Sequence, residues 1–116
     1  MSPKKVLITG ANGFIGGSLM RYYQNQGQDV VGVDLVGNGN DIIEGDIAQP
    51  DSISNVLQEC DVIIHTAALV SNAMQDSDMW RVNVLATRNL IEAAKEHKVR
   101  RFVQISSVVA YGNSAE

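Results

Sequence analysis

An apolar run leads directly into three spaced glycines in the stretch Val6-Leu7-Ile8-Thr9-Gly10-Ala11-Asn12-Gly13-Phe14-Ile15-Gly16. Such a run predicts a buried parallel strand, and the glycines after it predict a tight turn into a helix. Because glycine has no Cβ, the main chain of this turn can touch a pyrophosphate. The helix that follows would offer unpaired N–H groups and its positive dipole end to the same phosphates. The stretch therefore predicts a dinucleotide-binding loop.

An acidic residue supports this prediction. Asp34 ends the next apolar run, near the roughly 20-residue offset at which an acid accepts hydrogen bonds from the adenosine ribose. The interval from Gly10 to Gly13 is one residue longer than in the G-x-G-x-x-G form, so the loop should be slightly wider. A P-loop is excluded because no Gly-Lys-Ser/Thr follows. Three glycines could mark only a turn, and Asp34 could be a solvated strand-end acid, but the strand, helix and acid together favour the dinucleotide site.

Composition predicts one soluble globular domain. The chain has 116 residues and a formal net charge of −4, which argues against a nucleic-acid-binding surface. It has neither a secretory h-region nor an apolar stretch long enough to span a membrane, so no membrane partner and a cytoplasmic location are expected. The single cysteine, Cys60, is expected to act as a small buried hydrophobe. No metal site is expected.

Strand-like runs alternate with helix-period segments along the whole chain, which is typical of βαβ units around a parallel sheet. The predicted strands cover residues 5–9, 30–34, 41–44, 61–65 and 101–106, and the predicted helices cover residues 14–26, 50–58 and 78–97. Right-handed crossovers between these elements give an α/β, Rossmann-type doubly wound sheet with strand order 3-2-1-4-5.

The helix periodicity also predicts which side chains are buried. In the first helix these are Ile15, Leu19 and either Tyr22 or Tyr23, and Gly27 ends that helix. Pro50 suits the first turn of the second helix because its missing N–H costs nothing there. In the third helix the predicted buried stripe consists of Val82, Leu85, Asn89, Leu90, Ala93 and Ala94.

Ligands of such sheets bind outside the carboxyl ends of the strands, where the strand order reverses. The predicted strand ends bring the glycine loop, Asp34 and Asp46 into one crevice with residues 66–68 and 106–107. The small side chains of Ala67 and Ala68 would leave room there for a flat ring.

These residues resemble the NAD-dependent epimerase/dehydratase family, the extended branch of the short-chain dehydrogenases and reductases, over nearly the entire chain. Ala86 stands where the family usually has glycine. Five segments in the family's order carry the resemblance: Thr9-Gly10-x-x-Gly13-x-x-Gly16, Gly45-Asp46-Ile47, Ile64-His65-Thr66-Ala67-Ala68, Asn83-Val84-x-Ala86-Thr87-x-Asn89-Leu90-Ile91-Glu92-Ala93-Ala94 and Ile105-Ser106-Ser107-x-x-x-Tyr111-Gly112.

The resemblance implies an NAD cofactor. NADP is less favoured because the charge of Asp34 would repel a 2′-phosphate. The cofactor-binding residues that the resemblance implies are Gly10, Asn12, Gly13, Phe14, Ile15, Gly16, Asp34, Leu35, Asp46, Ile47, Thr66, Ala67, Ala68, Asn83 and Ser106.

Asp46 could pair with the adenine amino group or only form a turn. Asn83 is expected to support the site, and His65 to be a satisfied core imidazole rather than a general base.

Ser107 aligns with the family's catalytic hydroxyl, which holds the reacting oxygen of the substrate, although a strand-end serine that bonds backbone is the alternative. The family's proton donor, Tyr-x-x-x-Lys, has no match, since Tyr111 is followed at that spacing by Ala115. Residues 1–116 are therefore expected to be the N-terminal part of an NAD(P)-binding Rossmann domain. The remaining strands and the substrate domain would be absent, and the chain alone inactive.

Two functions stay open. In the first, the chain is the NAD-binding part of an epimerase, dehydratase or reductase that acts by hydride transfer on a nucleotide sugar or similar hydroxylated small molecule. In the second, it is a non-catalytic NAD(P)-binding sensor or regulatory module. The outer edge of the fifth strand would have exposed N–H and C=O groups, which predicts a homo-oligomer formed through that edge.

Overall fold

The sheet has the strand order that the sequence predicts. The computed structural model describes the backbone of residues 4–67 and 77–106, and the side chains of residues 4–66 and 84–105. Within these residues one five-stranded sheet has the order β3-β2-β1-β4-β5, and every neighbouring pair is parallel. The strands are β1 (Val6–Thr9), β2 (Val30–Asp34), β3 (Ile42–Glu44), β4 (Val62–Ala67) and β5 (Arg101–Ser106). The α/β, doubly wound fold is confirmed.

Helices connect the strands as the periodicity predicts. They are α1 (Phe14–Asn25), a 3₁₀ turn (Pro50–Ile53) continued by α2 (Ser54–Glu59), and α3 (Ser77–Glu96). No helix among the described residues is both long and apolar enough to cross a membrane.

Gly27 ends α1 as predicted. It lies in the left-handed region at φ 74°, its N–H donates to the carbonyl of Gln24 at 3.1 Å, and the N–H of Gln28 donates to the carbonyl of Tyr23 at 3.0 Å. These two bonds satisfy carbonyls at the helix end that would otherwise lack partners.

Successive side chains of the central strands point to opposite faces of the sheet, so the core has two layers. Leu7 and Ile63 lie in the layer that includes Leu57 and Leu90, while Val6 and Ile8 lie in the layer that includes Met20. Cys60 is buried in the first layer, as predicted, and burial raises the pKa of its thiol to about 12. A thiol with so high a pKa is a poor nucleophile, which fits a packing role.

The predicted helix faces are confirmed in part, since Leu19 and Tyr23 of α1 pack against the core as predicted. In α1 the buried residues are Gly16 and Met20, whereas Tyr22 is 57% exposed and stacks edge-to-face on the partly buried Tyr23. The alternative in which Tyr22 is buried is therefore wrong. Met20 packs over Gly32 of β2, where a Cβ on the glycine would lie 3.1 Å from the Met20 sulfur.

In α3 Leu90, Ala93 and Ala94 are buried as predicted, and the prediction is wrong at two of the described positions. Leu85 is 49% exposed and Asn89 is exposed, while the neighbouring Ala86 is buried together with Leu90 and Ala93. Leu85 and Asn89 were thus wrongly assigned to the core.

Candidate functional site

A cavity opens at the carboxyl ends of the strands, where the strand order reverses between β1 and β4. Its volume is about 420 Å³. Six of the predicted site residues line it together: Gly10, Asp34, Leu35, Asp46, Ile47 and Thr66. The remaining lining residues come from the same strand ends and from α3: Thr9, Val33, Gly45, Ala48, His65, Ala86 and Thr87. The strand ends therefore converge on one crevice, as parallel-sheet topology requires.

The glycine loop packs so tightly that side chains would not fit. Gly10 has φ 67°, and a Cβ there would contact the Thr66 hydroxyl and lie 2.6 Å from the Thr66 carbonyl oxygen. A Cβ on Gly16 would overlap the Gly10 carbonyl oxygen and lie 2.8 Å from its carbon. The absence of both Cβ atoms lets β1 turn abruptly into α1 and lets the helix approach the strand.

The amino end of α1 is suited to an anion. Gly13 is its N-cap residue, and the first turn, all of it described, contains no acidic residue. The N–H groups of that turn have no partners within the helix, and the dipole places partial positive charge there. Gly13 and the largely exposed Phe14 border a second hollow, of about 450 Å³, beside α1. Asn12 lines the same hollow, whereas Ile15 is half-buried.

Asp34 is fixed by two backbone donors. The N–H of Asn12 donates to its Oδ2 atom at 2.9 Å, and the N–H of Leu35 donates to its Oδ1 atom at 2.8 Å. The side-chain amide of Asn12 also donates to the carbonyl of Val36 at 2.8 Å. A carboxylate has about four acceptor positions, so Asp34 retains capacity for further donors such as the hydroxyls of a ribose.

Asp46 shapes the turn after β3. Its Oδ1 atom accepts from the N–H of Ala48 at 2.9 Å, its carbonyl accepts from the N–H of Gln49 at 2.9 Å, and its N–H donates to the Ser52 hydroxyl at 3.2 Å. These hydrogen bonds correspond to the turn-forming role, one of the two roles predicted for Asp46. Among the described residues, Oδ2 of Asp46 accepts no hydrogen bond, so a contact with adenine is compatible with the same conformation.

His65 joins three elements behind the cavity wall. It is 2% exposed, its Nδ1 atom lies 2.5 Å from the Thr9 hydroxyl, and its Nε2 atom lies 2.9 Å from the Thr87 hydroxyl. Burial lowers the pKa of the imidazole to about 4, so the ring is neutral at pH 7. The prediction of a satisfied core imidazole is confirmed.

The hydroxyl of Thr66 donates a hydrogen bond to the Thr9 carbonyl at 2.7 Å, which links β4 to β1.

Several members of the site were not predicted from the sequence. Thr9 and Thr87 belong to the motifs of the resembling family, and their hydroxyls hold His65 at the cavity wall. Asn89 donates from its side-chain amide to the carbonyl of Ala48 at 3.0 Å, which no periodicity indicates. The small Ala86, in the position where the resembling family has glycine, was the available signal that α3 approaches the site.

Part of the predicted site lies outside the described residues. Ala68 and Ser107 are not described, nor are the side chains of Ala67, Asn83 and Ser106. The backbones of Ala67 and Ser106 are paired at the carboxyl ends of β4 and β5.

Comparison with known proteins gives one consistent result. D-erythronate dehydrogenase of Haemophilus influenzae is 33% identical over 123 aligned positions, which cover 93% of this chain and 39% of that protein. A short-chain dehydrogenase/reductase superfamily protein from Agrobacterium tumefaciens, solved with bound NAD, is 33% identical with a TM-score of 0.77, over 93% of this chain and 34% of that one.

The UDP-glucose 4-epimerase of Bifidobacterium longum, solved with NAD⁺ and UDP, is 27% identical with a TM-score of 0.77, over 97% of this chain and 39% of that one. This chain thus spans well under half the length of these relatives. The model of the NAD dependent epimerase/dehydratase family matches residues 6–116. With its glycine loop, its parallel sheet and this match over nearly its whole length, the chain belongs to the NAD dependent epimerase/dehydratase family.

Proposed function

We propose that this chain is the NAD-binding part of an epimerase, dehydratase or reductase that transfers a hydride to and from a hydroxylated small molecule such as a nucleotide sugar. The observation that carries the proposal is the tie between Asp34 and the glycine loop at the mouth of the cavity. The hydrogen bond from the Asn12 N–H fixes the Asp34 carboxylate, the proposed acceptor for the ribose hydroxyls, relative to the N-terminus of α1, where phosphate would bind.

The chain's own groups would divide the dinucleotide between them. The N–H groups in the first turn of α1, from Phe14 to Gly16, would bind the pyrophosphate, with Asn12 and Gly13 beside it. Asp34 would accept hydrogen bonds from the adenosine ribose, next to Leu35. The adenine would lie towards the turn at Asp46 and Ile47, on the β3 side of the ribose.

The nicotinamide end would then extend to the β4 side of the cavity. Thr66 borders that side, and we assign Ala67, Ala68, Asn83 and Ser106 to it as well. Bound NAD would supply the hydride acceptor. Ser107 would hold the reacting oxygen of the substrate by a hydrogen bond.

The choice of NAD over NADP follows from charge. A 2′-phosphate would lie against the Asp34 carboxylate, and the two residues after it, Leu35 and Val36, supply no cation. Both side chains are 67% exposed, so they offer an apolar surface at this position. The Agrobacterium tumefaciens and Bifidobacterium longum relatives were solved with NAD, which supports this choice.

Hydroxylated substrates are supported by the relatives. A UDP-glucose 4-epimerase and a D-erythronate dehydrogenase act, by their names, on a nucleotide sugar and on a sugar acid. We assign the whole chain to one NAD(P)-binding domain of such an enzyme.

Self-association through β5 is part of the proposal. β5 is the last strand of the sheet in the described residues, and Arg101, Val103 and Gln104 on it are exposed. No strand among the described residues pairs with the outer edge of β5, and a free edge of this kind would offer backbone donors and acceptors to a second copy. Sedimentation velocity should show a dimer that Val103→Lys weakens; a concentration-independent monomer would contradict this part.

Calorimetric titration with NAD and NADP, for the wild-type chain and for Asp34→Ala, tests the cofactor assignment. The wild-type chain should bind NAD more tightly than NADP, and the substitution should remove much of the difference because it removes both the ribose acceptor and the repulsion of the 2′-phosphate. Equal affinities of the wild-type chain for the two dinucleotides would reject the assignment.

A further inference from the structure

Asn89 links α3 to a segment far away in the chain. Its Nδ2 atom donates to the carbonyl oxygen of Ala48 at 3.0 Å, across a separation of 41 residues. Asn89 is on the exposed side of α3, so neither core packing nor helix formation requires an amide there. The carbonyl that it holds belongs to the turn after β3.

The other hydrogen bonds of this turn are local. The side chain of Asp46 bonds the N–H of Ala48, and the Ser52 hydroxyl bonds the backbone of Asp46. Such bonds fix the shape of the turn but not its distance from the helix opposite. Among the described residues, the Asn89 amide is the hydrogen-bond donor that reaches this turn from α3.

That distance sets the width of one end of the cavity. Ile47 and Ala48 line the cavity from the turn, and Ala86 and Thr87, within one turn of helix before Asn89, line it from α3. Ile47 packs against the core cluster that includes Leu90, so apolar contact brings the two walls together. Apolar contact has no preferred direction, whereas the Asn89 bond fixes the position of the Ala48 carbonyl relative to α3.

We infer that Asn89 is a positioning residue for the adenine end of the dinucleotide. The inference rests on the proposed function, in which Asp34 accepts the adenosine ribose and the base lies towards residues 46–48. Asn89 acts through the Ala48 carbonyl and does not touch the ligand. Its loss lets the turn move away from α3 and lowers affinity for adenosine-containing ligands, with little effect on the nicotinamide end.

Two substitutions test this on the full chain. Asn89→Ala removes the donor, and Asn89→Asp keeps the size but sets a carboxylate oxygen against the carbonyl of Ala48. Arg88→Ala is the matched control, since Arg88 is a neighbouring exposed residue of the same helix that does not line the cavity. Calorimetry with NAD, AMP and nicotinamide mononucleotide, and amide hydrogen exchange of residues 46–49 without ligand, are the measurements.

Both Asn89 variants should bind NAD and AMP about three- to tenfold more weakly, the range for loss of one neutral hydrogen bond, and should bind nicotinamide mononucleotide as the wild-type chain does. Exchange at residues 46–49 should accelerate in both variants and not in Arg88→Ala. If the wild-type chain binds NAD and the Asn89 variants bind AMP as tightly as it does, the inference is overturned and the proposed function stands. An equal loss for all three ligands would show a merely structural role, and a wild-type chain that binds no NAD would overturn both.

Discussion

The backbone N–H of Asn12 donates to the Oδ2 atom of Asp34 at 2.9 Å, and this bond joins the glycine loop to the end of β2 across 22 residues. The second carboxylate oxygen is held by the N–H of Leu35, so rotation of the Asp34 side chain would break two hydrogen bonds. The ribose acceptor is therefore fixed relative to the start of α1 without any ligand. Such preorganisation favours affinity because less ordering remains for the binding step.

Two adjacent glycines should respond oppositely to alanine. In Gly16→Ala the new Cβ would overlap the carbonyl oxygen of Gly10 and lie 3.0 Å from the Cα of Ala11, both of them backbone atoms that cannot turn aside. Overpacking of this kind should lower the free energy of unfolding by about 1–3 kcal/mol and weaken NAD binding. Urea unfolding monitored by circular dichroism measures the first effect and calorimetry the second.

Gly17→Ala is the matched control. Its Cβ would lie 3.5 Å from the carbonyl oxygen of Ala11, an ordinary contact, within the same helix. Alanine is the better helix former, so stability should rise by about 0.5–1 kcal/mol. Equal effects of the two substitutions would show that the close approach of α1 to β1 is not as the structure describes.

The buried imidazole of His65 should make stability depend on pH. Burial lowers the pKa of His65 from its ordinary value of 6.5 to about 4, so between these values the unfolded chain binds more protons than the folded one. Stability therefore rises with pH across this window, is complete above it, and is lost as pH falls towards 4. This titration should lower the free energy of unfolding by roughly 3 kcal/mol at the acid end of the window, since each pKa unit corresponds to about 1.4 kcal/mol.

Urea unfolding of the wild-type chain and of His65→Gln at several pH values tests this. The substitution should flatten the dependence between pH 4 and 6.5, because it removes the titrating group. A wild-type slope that survives in His65→Gln would assign the effect to another group.

Lys98 offers a simple stabilising substitution. It follows α3 at φ 60°, and its N–H donates to the carbonyl of Lys95 at 3.1 Å while the N–H of Val99 donates to that of Ala94 at 2.9 Å. This is the same helix end that Gly27 gives α1, but with a Cβ in the left-handed region. Lys98→Gly should raise the free energy of unfolding by up to about 1 kcal/mol. Gly27→Ala should lower it by a similar amount, and a loss of stability in Lys98→Gly would contradict this explanation.

The sheet could be predicted from the sequence because its strands are short, apolar and bounded by turn residues. Val30–Asp34 and Arg101–Ser106 match the predicted strand bounds, and the crossover rule left one strand order. The buried faces of the helices were harder. A helix wheel does not distinguish Leu85 from Ala86 when both border the apolar stripe, and the orientation of α3 in the fold decides between them.

The site was predictable where a motif places the backbone, and less so where side chains bridge elements. Gly10 and Asp34 follow from the loop and the strand end. The bonds from Asn89 to Ala48 and from His65 to Thr87 depend on how α3 lies over β3 and β4, which no local pattern encodes. The turn role of Asp46 was one of two alternatives, and the bond to the N–H of Ala48 shows it.

The most direct test of the dinucleotide site is a crystal structure of the chain grown with saturating NAD. Pyrophosphate oxygens should lie about 2.7–3.2 Å from the backbone nitrogens of Phe14, Ile15 or Gly16, and the adenosine ribose hydroxyls at the same distance from the Asp34 carboxylate. A dinucleotide bound elsewhere on the chain, with the start of α1 free of phosphate, would contradict it.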